Sequence, residues 1–451
     1  MRVGKLEIGP GGIILILLII SGLVVVGLKQ MGVDLIGMIK GKKEATTVTN
    51  TTNNSGNTAN NTTNATTIRI KGSSAIGDKL GKDWAQEFMN SNAGKIVLIE
   101  TKGTSTGFQA LIGGEADIAA ASRPANEKEE QAAQAAGFSL VSADSEHTVA
   151  FDAIAIAVHP NNPVEKLTIT QAKDIFTGKV TDWSKVGGKS GAIKVILRPK
   201  ELGAYELFQE LVLGKGTPFL TGAEELKENA KVSEQLRADV NAISFISLAG
   251  LGGAKALKLA ASETTTAIEP SEVTIRNKSY LLNRNLYLYT KGAPQGLVKD
   301  FIDYVLGPGQ ELTANYYVNL KLKLVADTSS GAASANPKRK KFNTDIRFQT
   351  SSTQVNNLAV YDLNQISADI CPRASNISIE LIGYSDSQGD PKQNLELSKQ
   401  RAESVAQVLK GKCPSITIES KGLGSASPIG DNSTEEGKLL NRRVEIWVIE
   451  K

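Results

Sequence analysis

Hydrophobic and polar positions change rhythm several times along this chain. From Ile8 to Leu28 no residue is charged, and Ile13 to Ile20 is an unbroken run of Ile and Leu. A helix of about 20 residues rises roughly 30 Å, the thickness of a hydrocarbon core. The pattern predicts an N-terminal transmembrane helix over 8–28. A cleaved signal peptide is the alternative, but the apolar run leads into Lys29 without an Ala-x-Ala site. Arg2 and Lys5 on one side, and Lys29, Lys40, Lys42 and Lys43 on the other, leave the orientation open. Residues 45–67 then hold 17 Thr or Asn among 23 positions and no charge. Such a segment cannot offset its ordering entropy by burial, so it reads as a linker.

From Ile68 the pattern becomes that of an α/β domain. Thr67 to Ile70 reads as a strand, Gly72-Ser73-Ser74 as a turn, and Leu80, Trp84 and Phe88 fall at helical spacing. Ile96 to Ile99 is the next strand. Gly103-Thr104-Ser105-Thr106-Gly107 follows, then a helix through Phe108, Leu111 and Ile112. Small-residue loops between strand and helix set backbone N–H groups and hydroxyls at helix starts, where they favour anions. Thr104 and Ser105 could equally be capping residues, and Arg198 a surface ion-pair partner.

A second change comes after Val325. Residues 326–341 are rich in Ala, Ser and Gly and end in Lys338-Arg339-Lys340-Lys341, which reads as a linker with a solvated basic run. Beyond it, Ile346-Arg347-Phe348 predicts a strand and Leu358, Leu363, Ile366 and Ile370 a helix. Ile377 to Ile382 alternates as a strand. Asp390 is placed to cap a helix with Pro391 at its first position and Gln393 set for a capping box. Ser398, Ala402, Val405 and Leu409 form its buried stripe, and Ile416–Ile418 and Val444–Val448 supply further strands. The order is βαβαβ, one sheet covered by helices.

Composition narrows the chemistry. The 451 residues carry a net charge of +4, too mild and interspersed for nucleic acid. His147, His159, Cys371 and Cys413 offer no zinc spacing, so no metal or cofactor is expected. Both histidines read as structural or exposed. No credible nucleophile–base pair stands out, and the protein reads as a non-enzyme.

Two family resemblances organise these pieces. Residues 68–325 resemble the periplasmic phosphate-binding proteins (PstS-like) of ABC transporters. The resemblance rests on Gly72-Ser73-Ser74, Gly103 to Phe108, Ala116-Asp117-Ile118 to Ser122-Arg123, Phe151 to Pro160, Ile175 to Gly178 with Asp182-Trp183-Ser184, and Tyr280 to Tyr289. It implies two α/β lobes joined by crossing strands, with ligand in the cleft. It also implies an oxyanion site from Ser73, Ser74, Thr104, Ser105, Ser122, Arg123, Arg198 and Gly203. The family's second-lobe frame is Arg, three residues, then Ser-Gly-Thr; here it is Arg198 and Leu202-Gly203-Ala204. Ala75 likewise stands where a Thr is usual, so three hydroxyl donors are missing. Some members carry an Asp beside the Ser at Ser122, where this chain has Arg123. Each missing charged hydrogen bond is worth about 1.5–3 kcal/mol, so weakened phosphate affinity is expected.

Residues 342–451 resemble the OmpA-like peptidoglycan-binding domain. The carriers are Gly383-Tyr384-Ser385-Asp386, Gly389, Asn394, Leu397-Ser398, Arg401-Ala402, Gly422-x-Gly424, Pro428, Gly437 and Asn441 to Ile446. The resemblance implies that Asp386, Asn394 and Arg401 take the free end of diaminopimelate, an ammonium and a carboxylate on one carbon. An internal Asp386–Arg401 salt bridge is the alternative. Cys371 and Cys413 each precede a predicted strand, and parallel strands would place them on one side of the sheet. In an oxidising compartment they are expected to form a disulfide.

Together these readings predict a single-pass protein of the cell inner membrane with periplasmic domains. It would bind diaminopimelate-type peptidoglycan and phosphate or another oxyanion, with an ABC permease as candidate partner and no nucleic acid. The alternative is an envelope scaffold or interaction protein whose binding-protein domain has lost phosphate.

Overall fold

The computed structural model describes residues 66–326 and 338–451. The anchor predicted over 8–28 and nearly all of the linker predicted over 45–67 lie outside the described residues. Among the described residues no helix is long and apolar enough to cross a membrane.

The first lobe begins with strands β1 (Thr67–Gly72), β2 (Ile96–Thr101) and β3 (Ile118–Ala121), and β4 (Glu146–Val158) leaves it. The second lobe holds β5 (Lys166–Thr168), β6 (Lys194–Leu197), β7 (Glu224–Glu225), β8 (Ala242–Ser247), β9 (Lys255–Ala256) and β10 (Lys258–Ala260). Strand β11 (Asn283–Tyr289) returns to the first lobe. The sheet order is β2-β1-β3-β11-β4-β8-β6-β7, with β9 on β4 and a separate β10–β5 pair. Strand β4 explains the two-lobed shape. Its residues 146–153 pair with β11, while Ile154–Val158 pair with β8, so one strand serves both lobes. From Thr148 every position of β4 is buried, as its run of small and apolar residues, interrupted only by Asp152, requires of a strand covered on both faces.

Each lobe has its own core. Ile68, Trp84, Phe88 and Phe301 pack in the first. The second stacks Phe208 on Phe245 with ring centroids 4.3 Å apart and Phe176 at 4.5 Å from Phe208. Gly72 ends β1 within the first lobe: at φ 139°, a Cβ there would meet Ala120 O at 2.1 Å. That close approach lets the Gly72-Ser73 turn lie on β3.

The C-terminal sheet runs β12-β13-β16-β14-β15, with β12 (Leu324–Ala326), β13 (Arg339–Arg347), β14 (Ile377–Gly383), β15 (Thr417–Gly422) and β16 (Arg443–Glu450). Strands β14 and β15 are parallel and flank the helix Pro391–Lys412, whose Asp390 cap accepts from the N–H of Lys392 and Gln393. Two expectations are corrected here. The stretch read as a linker over 326–341 ends in β13, and Arg339 to Lys341 are inner-strand residues. Their charges are met within the sheet: Arg339 reaches Glu380 at 2.9 Å, and Lys341 reaches Asp345 on its own strand at 2.7 Å and Glu445 of β16 at 3.4 Å. The predicted disulfide is not formed. Cys371 and Cys413 are free thiols, and Cys371 points to Lys412 O at 3.8 Å. They close helix ends rather than open strands, which brings them together without a bond. Burial and the neighbouring Cys413 push the Cys371 thiol up to about 11.

Candidate functional site

Between the lobes, the residues predicted for one oxyanion site divide between two adjoining cavities. The first, about 330 Å³, is lined by Thr104, Ser105, Ser122 and Arg123, with Glu206, Glu210 and Arg284 also on its wall. Its polar groups already have partners. Thr104 Oγ1 accepts from the Ser122 N–H at 3.1 Å and lies 3.2 Å from Ser122 Oγ. Arg123 grips both oxygens of Glu129 at 2.7 Å and donates to Ser105 Oγ at 2.8 Å. That bidentate bond raises the Arg123 pKa and cancels its charge locally.

The second cavity, about 660 Å³, is lined by Arg198, Ser74, Gly203, Ala75, Leu202 and Ala204 among others. Ser73 is buried beneath it, its N–H donating to Ala120 O at 2.8 Å. Arg284 stands between the cavities. Its Nε donates to Asp152 at 3.1 Å, Nη1 to Glu206 at 3.1 Å and Nη2 to Gly203 O at 3.4 Å. The lobes are close at this point, since a Cβ on Gly203 would lie 3.8 Å from the Ala75 Cβ.

Arg198 is the exceptional group. It is 4% exposed, and only its Nη2 has a partner, Lys227 O at 2.6 Å. Nε and Nη1 have none. Burial without a carboxylate beside it pushes its pKa down to about 10. A buried donor left unpaired costs about 1–3 kcal/mol, so this guanidinium keeps unused donor capacity at the cavity wall. Arg284 was read only as part of the return strand. Its role in dividing the cleft depends on Asp152 and Glu206, which are far from it in sequence.

In the C-terminal module, Asp386, Asn394 and Arg401 are all buried at the junction of the strand-end loop and the helix Pro391–Lys412. The helix turns Asn394 and Arg401, seven positions apart, onto one face. Gly383 allows the approach: a Cβ there would meet Ser398 O at 1.9 Å. Asp386 pairs with Arg442 at 2.7 Å, both side chains under a tenth exposed. Asn394 donates to Gln388 O at 2.8 Å. Arg401 donates hydrogen bonds to carbonyls alone, those of Ser352 at 3.0 Å, Gln349 at 3.1 Å and Tyr384 at 3.4 Å, and lies over the Phe348 ring. Burial, reinforced by Arg442 and opposed by Asp386, pushes its pKa down to about 10. Asp386 thus compensates one of the two guanidiniums, Arg442, and Arg401 is left without a carboxylate bonded to it. The sequence signals Arg442 only by its place in Asn441-Arg442-Arg443.

Comparison with known proteins accords with both modules. A family model described as a PBP superfamily domain matches residues 57–308, and the OmpA family model matches residues 347–442. The phosphate-binding protein PstS of Bacillus subtilis is 29% identical over 241 residues, covering 53% of this chain and 75% of that protein. The PstS of Staphylococcus saprophyticus is also 29% identical over 241 residues, covering 52% and 73%. A solved structure of a possible phosphate binding protein from Planctomyces limnophilus matches 56% of this chain and 92% of its own, at 25% identity and TM-score 0.49. With more than half of its residues matched by the first model, the chain belongs to the PBP superfamily, as a PstS-like domain followed by a C-terminal OmpA family domain.

Proposed function

We propose that this is a bacterial envelope protein that grips diaminopimelate-type peptidoglycan with its OmpA family domain and holds a small oxyanion in the cleft of its PstS-like domain. The observation that carries the cleft reading is Arg198: buried, positively charged, and with two guanidinium nitrogens lacking a partner. On the wall side, Asp386 takes the ligand's ammonium while Arg401, bonded only to carbonyls, takes its carboxylate. Arg442 holds Asp386 in place. The N-terminal apolar stretch anchors the chain in the inner membrane, with both modules in the periplasm. An ABC permease is the partner that the PstS-like domain suggests.

Titrating the chain with phosphate, sulfate and carboxylates by calorimetry tests the cleft. Heat from at least one anion, lost in Arg198→Gln, is expected; no heat from any would remove the receptor reading. Sedimentation with purified sacculi tests the wall site, where Asp386→Ala and Arg401→Ala should stay in the supernatant. A second reading, an envelope scaffold whose cleft has lost phosphate, is favoured by one observation. Thr104, Ser105, Ser122 and Arg123 already satisfy one another and Glu129.

A further inference from the structure

The cleft's larger cavity departs from what a free phosphate dianion requires. Such an ion needs many donors around four oxygens and a net positive wall. Here Ala75, Leu202 and Ala204 present no hydroxyls and Ile154 adds another apolar surface; of the lining's neutral polar side chains other than tyrosine, Asn229 donates to Ser247 Oγ and Ser74 remains. The hydroxyls of Tyr316 and Tyr317 are already committed to Asp83 and to Ala75 O. Charge is balanced before any ligand enters. With Asp152 taken by Arg284, the exposed lining carboxylates Asp78, Glu201 and Glu228 are matched in number by Lys79, Lys227 and Arg198. A single further negative charge can be placed, on Arg198; a second would meet like charge. At about 660 Å³ the cavity is also of the size that takes an organic ligand.

We propose that the ligand of this cavity is an organic monocarboxylate. Its carboxylate lies on the free N–H groups of Arg198 and its apolar body lies against Ala75, Leu202 and Ile154. This rests on the anion reading of the cleft and narrows it to one class. Calorimetry on the full chain at neutral pH, with inorganic phosphate, hexanoate, phenylacetate and succinate as probes, separates the two. A monocarboxylate is expected to bind at least about tenfold more tightly than phosphate or the dicarboxylate. Arg198→Gln should weaken it by about a hundredfold, the loss of charge-assisted bonds. That variant should also melt higher than the parent, because it removes a buried charge without a carboxylate partner. Leu202→Asp, which sets a fixed carboxylate in the apolar wall, gives a second readout and should abolish monocarboxylate binding. Phosphate binding more tightly than every carboxylate would overturn the monocarboxylate while leaving the anion reading intact. Monocarboxylate affinity unchanged in Leu202→Asp would also overturn it. No binding of any probe would overturn both.

Discussion

His147, on the first-lobe half of β4, carries the clearest pH signature of a single residue. Its Nε2 meets Thr290 Oγ1 at 3.0 Å, and burial pushes its pKa down to about 4, against the pull of Asp144 and Asp303. An unfolded histidine titrates near 6.5, so between those values the unfolded chain binds the extra proton. Its contribution to stability is whole above about pH 6.5 and is lost as pH falls towards 4, by on the order of 3 kcal/mol. Urea midpoints measured across that window should fall steeply in the parent and less in His147→Gln. Matching slopes would show that other groups set the pH dependence. At this scale the sequence was partly informative. The family resemblances picked out Arg198, Asp386 and Arg401, because each falls in a compact motif. They could not reveal that Arg123 is claimed by Glu129, or that Asp386 turns to Arg442 rather than Arg401. Those choices depend on how loops distant in sequence are brought together.

At the scale of elements, the helix Pro391–Lys412 and strand β14 are held by glycine. With a Cβ on Gly383 only 1.9 Å from Ser398 O, Gly383→Ala must push helix and strand apart. Overpacking of this kind costs about 1–3 kcal/mol, and because the displaced helix carries Asn394 and Arg401, wall binding should weaken too. Thermal melts and sacculus sedimentation of the one variant measure both; unchanged behaviour in each would mean the backbone yields freely. The ends of the same helix set a second test. Cys413 caps it beside Cys371, so mild oxidation should convert both thiols to one intrachain disulfide, read by thiol labelling after denaturation. Two labelled thiols after oxidation would oppose this. Strand and helix order was legible at the start of the first lobe and in the C-terminal module, where period 2 and period 3.6 alternate; β4, buried on both faces, shows no such alternation. The start of β13 was not legible, since Lys338-Arg339-Lys340-Lys341 looks like a solvated run until Glu380, Asp345 and Glu445 are brought alongside.

The whole chain joins its two modules through more than a linker. Strand β12, at the end of the PstS-like domain, is an edge strand of the OmpA family sheet. The helix Asn357–Ile370 then lies across both lobes. Asn357 donates to Ser142 O at 2.9 Å and Tyr361 to Leu306 O at 2.8 Å, both in the first lobe. Asp362 meets Arg276 of the second lobe at 2.6 Å, with both side chains almost fully buried. Asp362 also accepts from Thr344 at 2.7 Å, and Arg276 lies over the Phe151 ring. Neither residue drew attention in the sequence, since a lone Asp and a lone Arg 86 positions apart form no motif. Removing one partner of a buried pair leaves an uncompensated charge, a loss of about 3–5 kcal/mol. Asp362→Ala should therefore lower the melting temperature and split one unfolding transition into two, as the modules cease to support each other. Replacing both partners, Asp362→Leu with Arg276→Met, should restore much of the stability, because it removes the charge along with its partner. Calorimetric melts of the three proteins decide it. A single transition in Asp362→Ala, at the parent's temperature, would show that β12 and the contacts of Asn357 and Tyr361 suffice to bind the modules. The two-transition result would make this helix the element through which a grip on the cell wall bears on both lobes of the cleft.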